Sequence, residues 1–220
     1  MKKNLTELVF ILDKSGSMSG LENDTIGGYN SVLEKQKDVE GECRITTVLF
    51  DHNYELLHDR IDIRAVSLIT EKEYFVGGST ALLDAIGTTI HKIGNVQKNT
   101  AGDYRAEKVM FVIITDGEEN ASKEFTAEKV KALIERQKEK YQWEFVFLGA
   151  NIDAVETARH FGISADRAQN YHADKEGSRI VYESLAKFTV AYREAPEHMS
   201  LADDWSADIQ ADFKERKKKK

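Results

Sequence analysis

Two short apolar runs constrain this chain more than any other feature: Leu5 to Leu12 and Val109 to Ile114 are nearly continuous stretches of large aliphatic and aromatic residues. Each leads into a polar turn with glycine, Asp13-Lys14-Ser15-Gly16-Ser17 after the first and Thr115-Asp116-Gly117 after the second. Apolar runs of this length, bounded by turns, fit strands buried on both faces, the condition of interior strands in a parallel sheet. A sheet of that kind needs helices on both faces to cover it.

The remainder of the chain supplies those helices. Strand patterns at Cys43 to Phe50, Glu55 to Ile63, Trp143 to Leu148 and, more weakly, Ala168 to His172 alternate with helical patterns at Leu21 to Val39, Thr80 to Gln97, Thr126 to Glu139, Ala154 to Phe161 and Gly177 to Tyr192. The expected fold is α/β: a Rossmann-like three-layer sandwich with a mostly parallel central sheet and helices on both faces. Asp51-His52-Asn53-Tyr54 is too short for a crossover helix, so its flanking strands form a hairpin and one edge strand runs antiparallel. Thr126 is a helix cap, with Val130, Leu133, Ile134 and Gln137 as the inward stripe. Gly27-Gly28 within the first helix is read as close packing against the sheet.

A chain of 220 residues can bury one substantial core, and no linker divides it. Residues 1–195 are expected to form the domain and 196–220 a C-terminal extension that begins at the single proline, Pro196, and ends in a basic run. Order is expected to weaken there. No stretch is long and apolar enough to cross a membrane, and the N-terminus lacks a signal-peptide core, so a cytoplasmic location is expected. Cys43 is the only cysteine and reads as a strand residue. The net charge of −7 argues against a general nucleic-acid surface. Only Lys214 to Lys220 offers weak, salt-sensitive phosphate contact, without interleaved aromatics to read bases.

The chemistry sits at strand exits, where open α/β sheets place their ligands. Asp13, Ser15 and Ser17 present one carboxylate and two hydroxyls, Thr80 puts a hydroxyl at a helix start after Gly77-Gly78-Ser79, and Asp116 ends the second central strand. If the first and fourth strands are neighbours, Asp13 and Asp116 share one coordination sphere. Oxygen ligands of this kind suit a hard divalent cation such as Mg²⁺ better than a thiol or imidazole set would. The six histidines, among them His52, His91 and His172, show no ligand spacing. Turn-making and capping are the plain alternatives for Asp13, Thr80 and Asp116. Asp84 reads as a surface or capping residue, Glu118, Glu119 and Asn120 as a solvated loop, and Asn151 and Asp153 as caps of the following helix.

Taken together, Asp13-x-Ser15-x-Ser17, Thr80 in its Gly-rich loop and Asp116-Gly117 resemble the von Willebrand factor A domain and its metal-ion-dependent adhesion site (MIDAS), over about residues 5 to 193. The Gly-Gly-Ser-Thr-Ala-Leu-Leu-Asp loop is similar to bacterial stand-alone members more than to integrin-type domains, and the Asp-Lys-Ser-Gly-Ser-Met loop in a short chain without a signal-peptide core looks like small prokaryotic or phage-borne members. The resemblance implies Mg²⁺ or Mn²⁺ held by Asp13, Ser15, Ser17, Thr80 and Asp116, and a protein partner that supplies an Asp or Glu side chain as the last ligand. It implies binding and not catalysis. The competing reading is a Mg²⁺-dependent phosphoryl-transfer enzyme with Asp13 as nucleophile. Ser15 stands where such phosphatases carry a second Asp, and no catalytic Lys is suitably placed.

Overall fold

A computed structural model describes residues 1–196 and 203–218. Six strands form one sheet: β1 (Lys2–Asp13), β2 (Glu42–Phe50), β3 (Tyr54–Asp62), β4 (Ala106–Thr115), β5 (Glu144–Ala150) and β6 (Ala168–Tyr171), in the order β3-β2-β1-β4-β5-β6. All pairings are parallel except that of β2 with the edge strand β3. The hairpin and the antiparallel edge follow from the short connection, as expected. The two apolar runs are the central neighbours β1 and β4, with Leu12 opposite Ile114.

Side chains alternate across a strand, so each central strand feeds two cores. Leu8, Phe10 and Leu12 of β1 and Met110, Val112 and Ile114 of β4 pack with α1 (Glu22–Lys37) and α5 (Lys175–Glu194). Val9, Ile11, Val109, Phe111 and Ile113 face the opposite way, toward α2 (Leu82–Asn99), α3 (Ala127–Tyr141) and α4 (Ala154–His160). Each such side chain is fully or nearly fully buried, and burial of this kind stabilises by about 1.5–3 kcal/mol per residue. Cys43 lies buried in β2, where loss of hydration pushes its thiol up to about 12.

Thr126 and Asp153 cap α3 and α4 as expected, whereas Asn151 does not cap α4 and sits at a positive φ of 55°. The Thr126 hydroxyl accepts the Lys129 N–H, Asp153 accepts from Glu156 N–H, and Asp174 accepts from Gly177 N–H at the start of α5. Of the glycine pair in α1, only Gly28 is in close contact, and the neighbour is α5 rather than the sheet: a Cβ there would overlap the Tyr182 ring. Gly27 faces open space.

The C-terminal extension holds an element that periodicity did not reveal, α6 (Ala207–Lys217). Its apolar anchors are few. Ile209 is buried, Phe213 stacks on His172 at 4.8 Å between ring centroids, and Trp205 ahead of it packs on Phe188 of α5 at 4.7 Å. Arg216 forms an ion pair with Asp174, which also caps α5. Lys214 and Lys217 of the basic run belong to this helix, and Lys219 and Lys220 lie outside the described residues.

Candidate metal centre

β1 delivers Asp13 to the C-terminal edge of the sheet with no exposed surface, and β4 delivers Asp116 beside it at 2 % exposure. Both Asp13 oxygens have partners: Oδ1 accepts the Ser15 N–H at 2.7 Å, and Oδ2 accepts the Thr115 hydroxyl at 2.5 Å. Tyr74 donates its hydroxyl to the Asp13 carbonyl at 2.5 Å, which pins the end of β1 from the loop leading to the Gly-rich segment.

After Asp13 the chain makes one 3-10 turn (Gly16–Met18), closed by Met18 N–H to the Ser15 carbonyl and anchored by the buried Met18 side chain. The turn brings Ser15 Oγ within 3.0 Å of Ser17 Oγ, and Ser17 donates to Asp116 Oδ1 at 2.6 Å. The Gly-rich loop is laced to the same segment, since Gly77 N–H reaches the Lys14 carbonyl and Gly16 N–H reaches the Gly78 carbonyl. Gly78 has a positive φ of 75°, which a side chain would oppose, and a Cβ there would run into His52.

This lacing sets Thr80 against the Asp116 turn. A Cβ at Gly117 would sit 2.9 Å from Ser17 Oγ and 3.1 Å from Thr80 Oγ1, so the missing side chain keeps open the space on which the two hydroxyls converge. The structure therefore gathers Asp13, Ser15, Ser17, Thr80 and Asp116 at one point. Among the described residues no group of three or more His, Cys, Asp and Glu is assembled for a metal, so the donors here are mainly hydroxyls around two carboxylates.

Electrostatics mark the same point. Burial raises the Asp116 carboxyl to about 6, helped by the nearby Asp13 charge, and burial also raises Asp13. Asp116 Oδ2 is buried without a hydrogen-bond partner among the described residues. Such an atom costs about 1–3 kcal/mol when left unsatisfied, and more when charged. A divalent cation bound by these oxygens would offset both that cost and the repulsion between the carboxylates.

The loop after Asp116 supports the site. Asn120 Oδ1 accepts the Thr80 N–H at 2.9 Å, and Glu119 accepts the N–H groups of Leu83, Ala121 and Ser122. Glu119 and Asn120 thus tie the Asp116 loop to the start of α2 and are not a merely solvated loop. Asp84 takes three backbone N–H groups, from Lys123, Glu124 and Phe125, and so holds the loop ahead of α3 instead of capping a helix. Lys14, beside Asp13, is buried, paired with Glu55 Oε2 at 2.5 Å and set over the ring of the exposed Phe75.

The arrangement of sheet, helices and strand-exit loops has counterparts among solved structures. A von Willebrand factor type A protein from Catenulispora acidiphila superposes with a TM-score of 0.60 at 13% identity, over 84% of this chain and 42% of that one. This chain has the von Willebrand factor A fold. Proximal thread matrix protein 1 from the mussel byssus, with zinc in its MIDAS motif, matches at a TM-score of 0.57 and 13% identity, over 84% of this chain and 46% of that one. The ArnB paralog VWA2 from Sulfolobus acidocaldarius matches at 0.50 and 18% identity, over 86% and 45%. The chain spans less than half the length of each of these proteins. At the level of sequence, no family model and no curated protein matches it. The likeness resides in the von Willebrand factor A fold, and at these identities it extends to the architecture alone.

Proposed function

We propose that the chain is a metal-dependent protein-binding module in which Asp13, Ser15, Ser17, Thr80 and Asp116 hold Mg²⁺ or Mn²⁺ and an Asp or Glu side chain of a partner protein completes the coordination. Residues 1–195 would form the module and 196–220 its extension. The observation that carries this reading is the unpartnered, buried Asp116 Oδ2, next in the chain to Gly117, where a Cβ would crowd the Ser17 and Thr80 hydroxyls. The mussel byssus protein, with zinc in a MIDAS motif on the same fold, supports it.

When bound, the ion would supply a hard, oxygen-seeking centre for a carboxylate. The chain's residues prepare that centre. Ser15, Ser17 and Thr80 are neutral donors, so the two carboxylates balance a divalent charge without exceeding it, and no surplus negative charge repels an anionic side chain that takes a remaining coordination position. The phosphoryl-transfer alternative is weaker, because Ser15 stands where such phosphatases carry a second Asp and Lys14, the lysine beside Asp13, is paired with Glu55.

Partner capture from a native lysate tests the module. Wild type in Mg²⁺ should retain a partner that is lost in EDTA and with Asp13→Ala, while circular dichroism of the variant stays native. Capture that persists undiminished in both cases excludes the mechanism.

Metal binding should also depend on pH in a defined direction. Cation binding competes with the proton on Asp116, whose carboxyl titrates at about 6, so Mg²⁺ affinity should fall by about tenfold per pH unit below that value and level off above it. Without metal the sign reverses. A carboxyl raised in the folded state gives stability that is present below the unfolded value of about 4 and is lost as pH rises through about 6. In EDTA, the melting temperature of Asp116→Asn relative to wild type should therefore rise between those limits and then stay constant. A difference that is flat across this window contradicts the assignment.

A further inference from the structure

A cleft of about 420 Å³ lies between α2 and α3. Trp143, just ahead of β5, and Arg105, just ahead of β4, place it at the opposite end of the strands from Asp13 and Asp116. We propose that this cleft binds a small organic anion carrying a flat aromatic ring.

The apolar part of the cleft suits a ring. Trp143 is buried to 5 % exposure and held nearly parallel to Phe111, at 17° with 5.4 Å between centroids, so the indole is a fixed surface. Ile90 and Leu133 border it from the two helices. Gly94 of α2 lines the cleft with bare backbone. A Cβ at this position would meet the Gln137 side chain at 3.8 Å and Trp143 at 4.0 Å, ordinary contact distances, so the fold tolerates a side chain there and a large one would occupy cleft space. Tyr141, 54 % exposed, adds a further aromatic ring to the lining.

The polar part selects charge. Lys98, Arg105 and Arg136 line the cleft, and no Asp or Glu among the described residues does, in a chain whose net charge is −7. Arg105 is held in place by donating Nε and Nη2 to the Thr100 carbonyl at 3.1 and 3.0 Å. Lys98 and Arg136 are exposed and form no hydrogen bond or ion pair with the described residues. The volume lies within the range of about 300–1,000 Å³ typical of small-molecule sites, and apolar walls with a few convergent polar groups are their usual make-up. Cations next to an aromatic face favour a ligand that stacks and carries negative charge at its edge. Phosphate of a nucleotide and carboxylate of an aromatic acid share that chemistry.

The test uses the full chain and 8-anilinonaphthalene-1-sulfonate as probe, followed by fluorescence. Saturable binding is expected, weakened about tenfold or more in Lys98→Glu/Arg136→Glu, which reverses two exposed charges. Gly94→Leu, which keeps the charges and fills the cleft, should weaken it as strongly while the melting temperature holds. Competition then separates the sources: displacement by AMP assigns phosphate, and displacement by 1-naphthoate assigns carboxylate. Either supports the proposal, provided neutral 1-naphthamide competes at least tenfold less well. Absence of saturable binding by wild type, or affinity unchanged in both variants, overturns it.

Discussion

Asp116→Ala removes the stabilisation that saturating Mg²⁺ or Mn²⁺ confers on the wild-type chain. The substitution deletes a buried carboxylate oxygen that has no partner among the described residues, and the acceptor of the Ser17 hydroxyl. At a metal concentration of about 100 times the dissociation constant, ligation adds about 2.7 kcal/mol to the folded state. For a chain of this size that corresponds to a rise of about 5–10 °C in melting temperature. Differential scanning calorimetry in Mg²⁺ and in EDTA should show the rise for wild type and none for Asp116→Ala. Ser122→Ala, which removes the hydrogen bonds of this hydroxyl to Asp84 N–H and Glu119 but none to the proposed ligands, should keep the metal-induced rise. An equal rise in wild type and Asp116→Ala would place the ion elsewhere.

The second large effect is structural. Glu7 in β1 is fully buried, and its carboxylate is held by Arg60 Nε at 2.5 Å and Gln97 Nε2 at 2.7 Å. Arg60 reaches it from a bulge in β3, where the register with β2 slips between Ile45 opposite Ile61 and Thr47 opposite His58, and where Arg60 itself has φ of 53°. Arg60→Ala strips the cation from a buried anion and should cost about 3–5 kcal/mol in urea unfolding. Glu7→Leu/Arg60→Leu removes both charges and should recover most of that loss. A cost below about 1 kcal/mol for Arg60→Ala, the value of an exposed pair, would show that the pair is solvated.

Much of this molecule was legible from residue order because its strongest signals are local. A continuous apolar run has few alternatives to an interior strand, and the alternation of Leu8, Phe10 and Leu12 with Val9 and Ile11 between two cores follows from the period of a strand. A connection as short as that between β2 and β3 leaves only a hairpin. The helix α6 was not legible because it has two apolar anchors, Ile209 and Phe213, in a segment otherwise polar. Its packing depends on rings contributed by Phe188 and His172, from elsewhere in the chain. Gly28 was legible as a close approach, but the partner was not: the contact is with Tyr182, more than 150 residues on by the numbering.

The sequence by itself determined the α/β architecture and named the oxygens of the candidate metal centre, because strand period, turn chemistry and the Asp-x-Ser-x-Ser spacing are properties of adjacent residues. Tertiary structure alone decided how those oxygens are held. Thr115 on Asp13, Asn120 on Thr80, Tyr74 on the end of β1 and Gly117 beside two hydroxyls are contacts between distant or differently oriented segments. Tertiary structure also decided the Arg60–Glu7 pair and the cationic cleft between α2 and α3. Charges and rings from separate elements gain their meaning only when folding fixes their distance and removes the water between them.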